Sequence, residues 1–169
     1  MTIMTSAEAA KELRKLNDLH DAVMRRENKS SVFTAAIQET VDDARPEYDF
    51  QATQEELEML EEKIRIIKHA INHFNLTQEV PGFGMTIDQM LVYIPQLTER
   101  KRKLGVMRGR LPKERIDAYS RSSNIVEYEY SNYDIQEAED AYTHAADELA
   151  KAQNALDVIN STVTFEVDI

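Results

Sequence analysis

The chain has 169 residues, of which 42% are hydrophobic and 30% charged, with a formal net charge of −11. This composition excludes a disordered chain and is sufficient to bury the core of a single domain over residues 1–169. Because there are only four glycines and four prolines, few turns are expected and the elements between them should be long, which favours helices. The sequence has no cysteine, which excludes disulfides, a cysteine nucleophile and thiolate metal ligands.

The sequence predicts neither a membrane span nor a signal peptide. It has no run of about 18 apolar residues. The N-terminal stretch MTIMTSAEAAKELRK lacks a continuous apolar segment after a basic one. The acidic net charge also opposes binding to anionic lipids and to nucleic acids. We therefore expect a cytoplasmic protein that does not bind membranes.

Apolar residues in the first part of the chain recur at helical spacing. A first helix is predicted from a Ser6 cap to about Asn28, and its apolar side carries Ala9, Leu13, Leu16, His20 and Val23. Residues 29–51 contain Arg45-Pro46 between acidic residues and predict an ordered loop, with a short strand at 32–37 as an option.

A second helix is predicted from Thr53, which forms a capping box with Glu56. Its apolar residues follow a strict heptad spacing, which is typical of helices packed against helices. These residues are Leu57, Leu60, Ile64, Ile67, Ile71 and Phe74.

A third helix follows the turn EVPGFGM and is predicted to begin at a Thr86/Gln89 capping box. Pro95 lies inside it, where we expect a kink or a restart because proline removes a backbone donor. The helix should end before Leu111-Pro112. Its apolar side is predicted to consist of Ile87, Met90, Leu91, Ile94, Leu97, Leu104 and Met107.

From residue 122 the pattern changes to the alternation of a half-buried strand, with Val126, Tyr128 and Tyr130 on one face. A fourth helix is then predicted to begin with Asp134 and Glu137. Its apolar side carries Ile135, Ala138, Tyr142, Ala145, Leu149, Ala152, Leu156 and Ile159.

The tail alternates again, so residues 162–169 are predicted to form a strand that pairs with residues 124–131. The fold class is therefore mainly α. We expect a four-helix antiparallel bundle with coiled-coil-like hairpins and a small antiparallel β element at about 124–131 and 162–169, with 32–37 as an optional strand.

Charge is strongly segregated along the chain. Residues 39–62 contain ten acids and one base, and residues 122–150 contain eight acids and no base. Between them, residues 98–121 contain nine bases and three acids. The basic segment is thus flanked in sequence by two acidic ones.

This basic segment has two interpretations. In the first, it is a contact surface that binds phosphates, with tyrosines stacking on single-stranded bases, or that binds a protein partner. The residues concerned are Arg100, Arg108, Arg110, Lys113, Arg115, Arg121, Tyr128 and Tyr130. Alternatively, the basic helix packs among acidic helices of its own bundle or of a symmetric partner. We favour this second interpretation because it requires no ligand and agrees with the overall acidity.

Histidines offer little catalytic or metal-binding chemistry. His69 and His73 are spaced to share a metal on one helix face, but no third ligand lies nearby, and a solvated face is favoured. His20 lies on an apolar helix side, where a histidine satisfied by one hydrogen bond is expected. We therefore predict no metal site and no cofactor.

Two further motifs receive structural interpretations. Asp140, His144 and Asp147 line one helix flank, but no nucleophile or oxyanion donor accompanies them. We predict no catalytic residue and no enzyme activity. Gly105 and Gly109 have a small-residue spacing that predicts either close contact with another helix or fraying near the helix end.

Five stretches of the sequence resemble a family of hypothetical proteins from Firmicutes, especially gut species. These are RPEYDF (45–50), KHAINHFN (68–75), PGFGMTIDQMLVYIPQLTERK (81–101), RLPKERIDAYSRSSNIVEYEYSNYDI (110–135) and AQNALDVIN (152–160). The chain is also distantly similar to all-helical bacterial proteins labelled septicolysin; that label implies a toxin, and we do not extend it to this chain. The resemblance implies a bacterial cytosolic protein in which Arg121, Ser122 and Ser123 belong to the family pattern. It assigns no catalytic or binding residues.

The sequence therefore favours a non-enzymatic helical-bundle scaffold or adaptor that acts through protein–protein contacts. The heptad spacings predict a homo-oligomer, and an unidentified protein partner is expected. The alternative is a nucleic-acid-binding accessory protein that uses the basic helix 98–121.

Overall fold

The computed structural model describes residues 1–116 and 126–169. Within these residues the helices are α1 (Ser6–Ser30), α2 (Val41–Ala44), α3 (Phe50–Thr77), α4 (Ile87–Arg108) and α5 (Ile135–Thr162). The strands are β1 (Thr2–Thr5), β2 (Glu79–Val80), β3 (Met85–Thr86), β4 (Lys113–Arg115), β5 (Tyr128–Tyr130) and β6 (Thr164–Val167). The strands form three small antiparallel sheets, each of two strands: β1 with β6, β2 with β3, and β4 with β5. The predicted mainly α fold with small antiparallel sheets is confirmed.

The chain divides into two compact units. The first contains residues 1–78 and 158–169, and the second contains residues 79–157. Most of α5 belongs to the second unit, and its last residues belong to the first. The organisation of residues 1–169 as a single domain stays a prediction.

In the first unit, α1 and α3 pack as an antiparallel pair. Arg26 near the end of α1 forms an ion pair with Glu56 near the start of α3. Further along, His20 Nε2 lies 3.3 Å from Glu61 Oε1. The predicted apolar sides face inward, and their most buried members are Ala9, Leu16, Val23, Leu57, Ile67 and Phe74.

The ribbon of β1 and β6 completes the core of this unit. Met4 pairs with Phe165 across the ribbon, and the Phe165 ring stacks on that of Phe74, with 4.6 Å between the ring centroids. Met4 and Val167 are buried in one cluster with Ile67 of α3. The ribbon therefore covers apolar surface that the helix pair alone would leave exposed to water.

The predicted cap of α1 is wrong by one residue, and the predicted start of α3 is wrong by a few residues. Helix α1 is capped by Thr5, which forms a capping box with Glu8, and not by Ser6. Helix α3 is capped by Asp49, whose carboxylate accepts a hydrogen bond from a backbone N–H of the first turn. Thr53 instead lies inside the helix, where its hydroxyl donates to the Asp49 carbonyl. In both cases an earlier side chain with an extended backbone satisfies the free N–H groups first.

Helix α4 begins with the predicted Thr86/Gln89 capping box, which is confirmed. The helix is continuous through Pro95, so the chain does not restart there, and the predicted kink stays a prediction. Pro95 lies on an exposed face, where water can reach the carbonyl that loses its donor. The predicted burial of Leu91 is also wrong, because this side chain is 49% exposed.

The predicted strand pairing is wrong, although two strand positions are confirmed. Strand β6, in the predicted tail 162–169, pairs with β1, and β5, in the predicted segment 124–131, pairs with β4. Residues 32–37 form no strand, and their end residues Val32 and Ile37 are exposed. A strand needs a partner, and no described strand lies beside this segment.

Ile67 provides a direct test of the first unit's core, since its side chain is 0% exposed. We expect Ile67→Ala to lower the free energy of unfolding by about 3 kcal/mol, through lost apolar burial and the remaining cavity. Chemical denaturation followed by circular dichroism measures this change. The control is Met59→Ala on the same helix, where the side chain is 58% exposed and little change is expected. Equal effects of the two substitutions would contradict the described core.

Candidate interaction surface

In the second unit, α4 and α5 run antiparallel. Tyr93 in the first half of α4 donates a hydrogen bond to Glu148 of α5. This bond to a carboxylate raises the pKa of the Tyr93 phenol. At the other end of α4, Arg108 Nη1 donates to Glu139 Oε1 at 2.9 Å. Polar contacts therefore join the helix pair at both ends.

Between these contacts the Tyr142 side chain of α5 lies beside Gly105 of α4. A Cβ atom at this position would lie 3.4 Å from Cε2 of Tyr142 on α5. The Arg108 guanidinium lies over the same tyrosine ring, 3.7 Å from its centroid, in the geometry of a cation–π contact. The predicted helix contact at Gly105 is thus present, while Gly109 is the C-cap of α4.

Strands β4 and β5 form an exposed ribbon after α4. Lys113 pairs with Tyr130 and Arg115 with Tyr128, so these four side chains share one face. The Lys113 ammonium lies 4.1 Å from the Tyr128 ring centroid. Tyr128 and Tyr130 are 44% and 62% exposed, so the predicted half-buried strand is wrong. A ribbon of two short strands covers little surface, which leaves both of its faces open to solvent.

Residues that follow β5 hold the chain against the end of α4. The Ser131 hydroxyl donates to the Leu111 carbonyl at 2.8 Å. The Tyr133 hydroxyl donates to the Met107 carbonyl at 2.7 Å. Carbonyls near a helix C-terminus lack partners within the helix, so the second bond satisfies one of them.

A groove of about 730 Å³ lies beside α4 and the chain around β5, and we call it the α4 groove. Its apolar lining includes Val106 and Leu111, which are 56% and 59% exposed, and the half-buried Met107. Its charged lining consists of Arg100, Arg102, Lys103, Arg110, Glu99, Glu114 and Glu129. The groove is therefore apolar in part and carries charges of both signs.

Two of the four cations in the groove are already bound to carboxylates. Arg102 donates two hydrogen bonds to Glu99, at 2.5 and 2.9 Å, and these lower the pKa of the Glu99 carboxyl. Arg110 Nη1 lies 3.1 Å from Glu129 Oε1 and forms an ion pair with it. Arg100 and Lys103 form no ion pair with any residue that the structure describes. They are the cations of the groove without an ion pair, and both also line a neighbouring cavity of about 550 Å³ together with His144 and Glu148 of α5.

The predicted surface residues are thus distributed over several faces of the second unit. Arg100 and Arg110 line the α4 groove, whereas Arg108 lies between α4 and α5. Lys113, Arg115, Tyr128 and Tyr130 belong to the ribbon. Arg121 lies outside the described residues. The apolar lining of the groove was not predicted from the sequence. The one sequence signal for it is that Val106 is an apolar residue outside the predicted apolar side of its helix.

The histidines lie in the first unit and in α5. His20 is half-buried with Glu61 as its hydrogen-bond partner, as expected for a satisfied histidine. His69 and His73 are exposed, and residues 1–116 and 126–169 contain no group of three potential metal ligands. His144 Nδ1 lies 3.6 Å from Glu148 Oε2. The spacing in the sequence instead groups this histidine with Asp140 and Asp147. In the same residues no helix is long and apolar enough to cross a membrane.

The chain matches no protein-family model and no curated protein. Its fold is similar to that of a functionally unknown conserved protein from Corynebacterium diphtheriae, known from a crystal structure. The TM-score is 0.59 at 17% sequence identity, and the match covers 98% of this chain and 100% of that one. This similarity extends over nearly the whole chain and concerns the fold alone.

Arg108 is expected to stabilise the second unit, because it joins α4 to α5 through both an ion pair and a ring contact. We expect Arg108→Ala to lower the free energy of unfolding by about 1–2 kcal/mol. The control is Arg102→Ala, which removes an exposed ion pair within a single helix and should cost at most about 0.5 kcal/mol. Thermal and chemical denaturation measure both variants. A larger loss for Arg102→Ala would contradict the assigned contacts.

Proposed function

We propose that the protein is a non-enzymatic cytoplasmic adaptor that acts through protein–protein contacts and forms a homo-oligomer. The observation that carries this proposal is the α4 groove, where exposed apolar side chains lie among charges of both signs, of which Arg102 is paired with Glu99 and Arg110 with Glu129. An apolar patch with a polar rim is typical of protein-binding surfaces.

The internal ion pairs argue against phosphate binding as the main role of the basic segment. Arg102, Arg108 and Arg110 each hold a carboxylate, and Lys113 lies over the tyrosine rings of the ribbon. A phosphate would have to displace these contacts. Tight binding to nucleic acid depends on several cationic side chains that together release counterions from the phosphates. In the groove, two cations have no ion pair with a described residue, Arg100 and Lys103.

The ribbon is the observation that favours the alternative function in nucleic-acid binding. Tyr128 and Tyr130 present exposed rings on the same face as Lys113 and Arg115. Exposed aromatic rings next to cations can stack on single-stranded bases. The net charge of −11 opposes this alternative, so it ranks second.

Oligomeric state is the first test of the adaptor proposal. We expect size-exclusion chromatography with light scattering to give a mass of at least two chains of 19.5 kDa at micromolar concentration. The reason is that exposed apolar surface in the groove is removed from water when chains associate. A monomer at all concentrations would contradict the self-association that we propose.

Oligonucleotide binding separates the two candidate functions. We expect fluorescence anisotropy to show no binding of labelled single-stranded or duplex oligonucleotides at low micromolar protein, at either about 50 or about 200 mM salt. Binding that weakens steeply between these two salt concentrations would instead favour the nucleic-acid alternative. In that case Tyr128→Ala should weaken the single-stranded complex more than Tyr48→Ala, which alters a tyrosine of the first unit.

A further inference from the structure

We infer that the α4 groove of one copy binds the outer face of α3 of a second copy, with Arg100 and Lys103 facing Glu58 and Glu62. This inference rests on the proposed function and deepens it by naming the partner and the two surfaces. The inference is based on two observations: these four side chains have no ion pair with a described residue, and an exposed apolar residue lies beside each pair.

The basic surface lies on α4. Arg100 and Lys103 are both exposed and one helical turn apart, so they lie on the same side of the helix. Neither forms an ion pair with a described residue. Val106, one further turn along, is 56% exposed and lines the same groove. The surface thus combines two free cations with an apolar contact site.

The acidic surface lies on α3, in the segment 39–62 with ten acids and one base. Glu58 and Glu62 are exposed and four residues apart on one helix face. Within the described residues neither has an ion-pair partner, whereas Glu56 binds Arg26 and Glu61 lies beside His20. The acids that face α1 are therefore occupied, and the outer ones are free.

An apolar residue accompanies this acidic surface as well. Met59 lies next to Glu58 and is 58% exposed. Each surface therefore contains two like charges without an ion pair and one exposed apolar side chain, alongside Glu114 in the groove and Lys63 one turn from Met59 on α3. Docking would bring Met59 against Val106 and the carboxylates against the two cations. Charge complementarity of this kind fixes orientation and excludes wrong partners, while the apolar contact supplies burial.

A second copy fits the groove better than a polyanion does. The groove also contains Glu114, which has no ion pair with a described residue and would repel a continuous row of phosphates more than it repels two carboxylates. On α3, by contrast, the two free carboxylates occupy only about one turn of helix, so they can face Arg100 and Lys103 while the rest of the contact is made by other side chains. Because the two docking surfaces differ, the contact is heterologous, and association can either close into a ring or continue as a chain.

Charge reversal tests this contact. We expect R100E/K103E and E58K/E62K each to raise the self-association dissociation constant by at least about tenfold, because each places like charges opposite one another. An equimolar mixture of the two variants should restore the mass of the wild-type oligomer. In the mixture each reversed surface meets a reversed partner, and each native surface meets a native one.

The matched control is K11E/R14E, which reverses two exposed cations with the same spacing on α1 and should leave the mass unchanged. Light scattering measures all masses at about 50 mM salt, where exposed charges are weakly screened, and circular dichroism verifies that each variant is folded. The inference is overturned if R100E/K103E associates as strongly as the wild type. It is also overturned if the wild type associates but the equimolar mixture of the two variants stays monomeric. In both cases the adaptor proposal stands. If the wild type is a monomer, both the inference and the proposed self-association are overturned. If the wild type binds oligonucleotides in a salt-dependent way and R100E/K103E does not, the groove is assigned to nucleic acid instead.

Discussion

The buried contact of Ile67 with both α1 and the β1–β6 ribbon is the interaction on which the first unit depends. A pair of amphipathic helices buries only the stripe along which they touch, and a second apolar layer is needed to exclude water from the rest. In this unit the second layer is small. Phe165 and Val167 supply this layer from one strand, and Met4 supplies it from the other. Two strands of four residues each are therefore sufficient to complete a core that consists mostly of helix residues.

The second unit is held together differently, with polar contacts at both ends of its helix pair. Tyr93 with Glu148 and Arg108 with Glu139 hold α4 to α5, and the Gly105 backbone lies against Tyr142 between them. Both carboxylates, Glu139 and Glu148, come from the acidic segment 122–150. Arg100 and Lys103 of α4 have no ion-pair partner among the described residues, and both line the α4 groove.

Local signals in the sequence were sufficient to predict the helices but not the pairing of the strands. The Thr86/Gln89 capping box and the heptad spacing of α3 depend on residues three to seven positions apart, so they could be read directly. Alternation in residues 162–169 predicts a strand and its buried face, but it carries no information about the partner strand. The partner, Thr2–Thr5, is only four residues long. The groove was unpredictable for a similar reason, because the pairing of Arg110 with Glu129 depends on how the ribbon folds back onto α4.

The pairing of β1 with β6 also has a consequence for the order in which the protein folds. Thr2 lies opposite Val167, so this ribbon joins segments separated by almost the entire sequence, and its loop-closure entropy is large. During synthesis, residues 79–157 leave the ribosome before β6 does. The second unit can therefore fold while the first still lacks one strand of its ribbon, and the apolar surface of Ile67 and Phe74 stays uncovered until residues 164–167 appear.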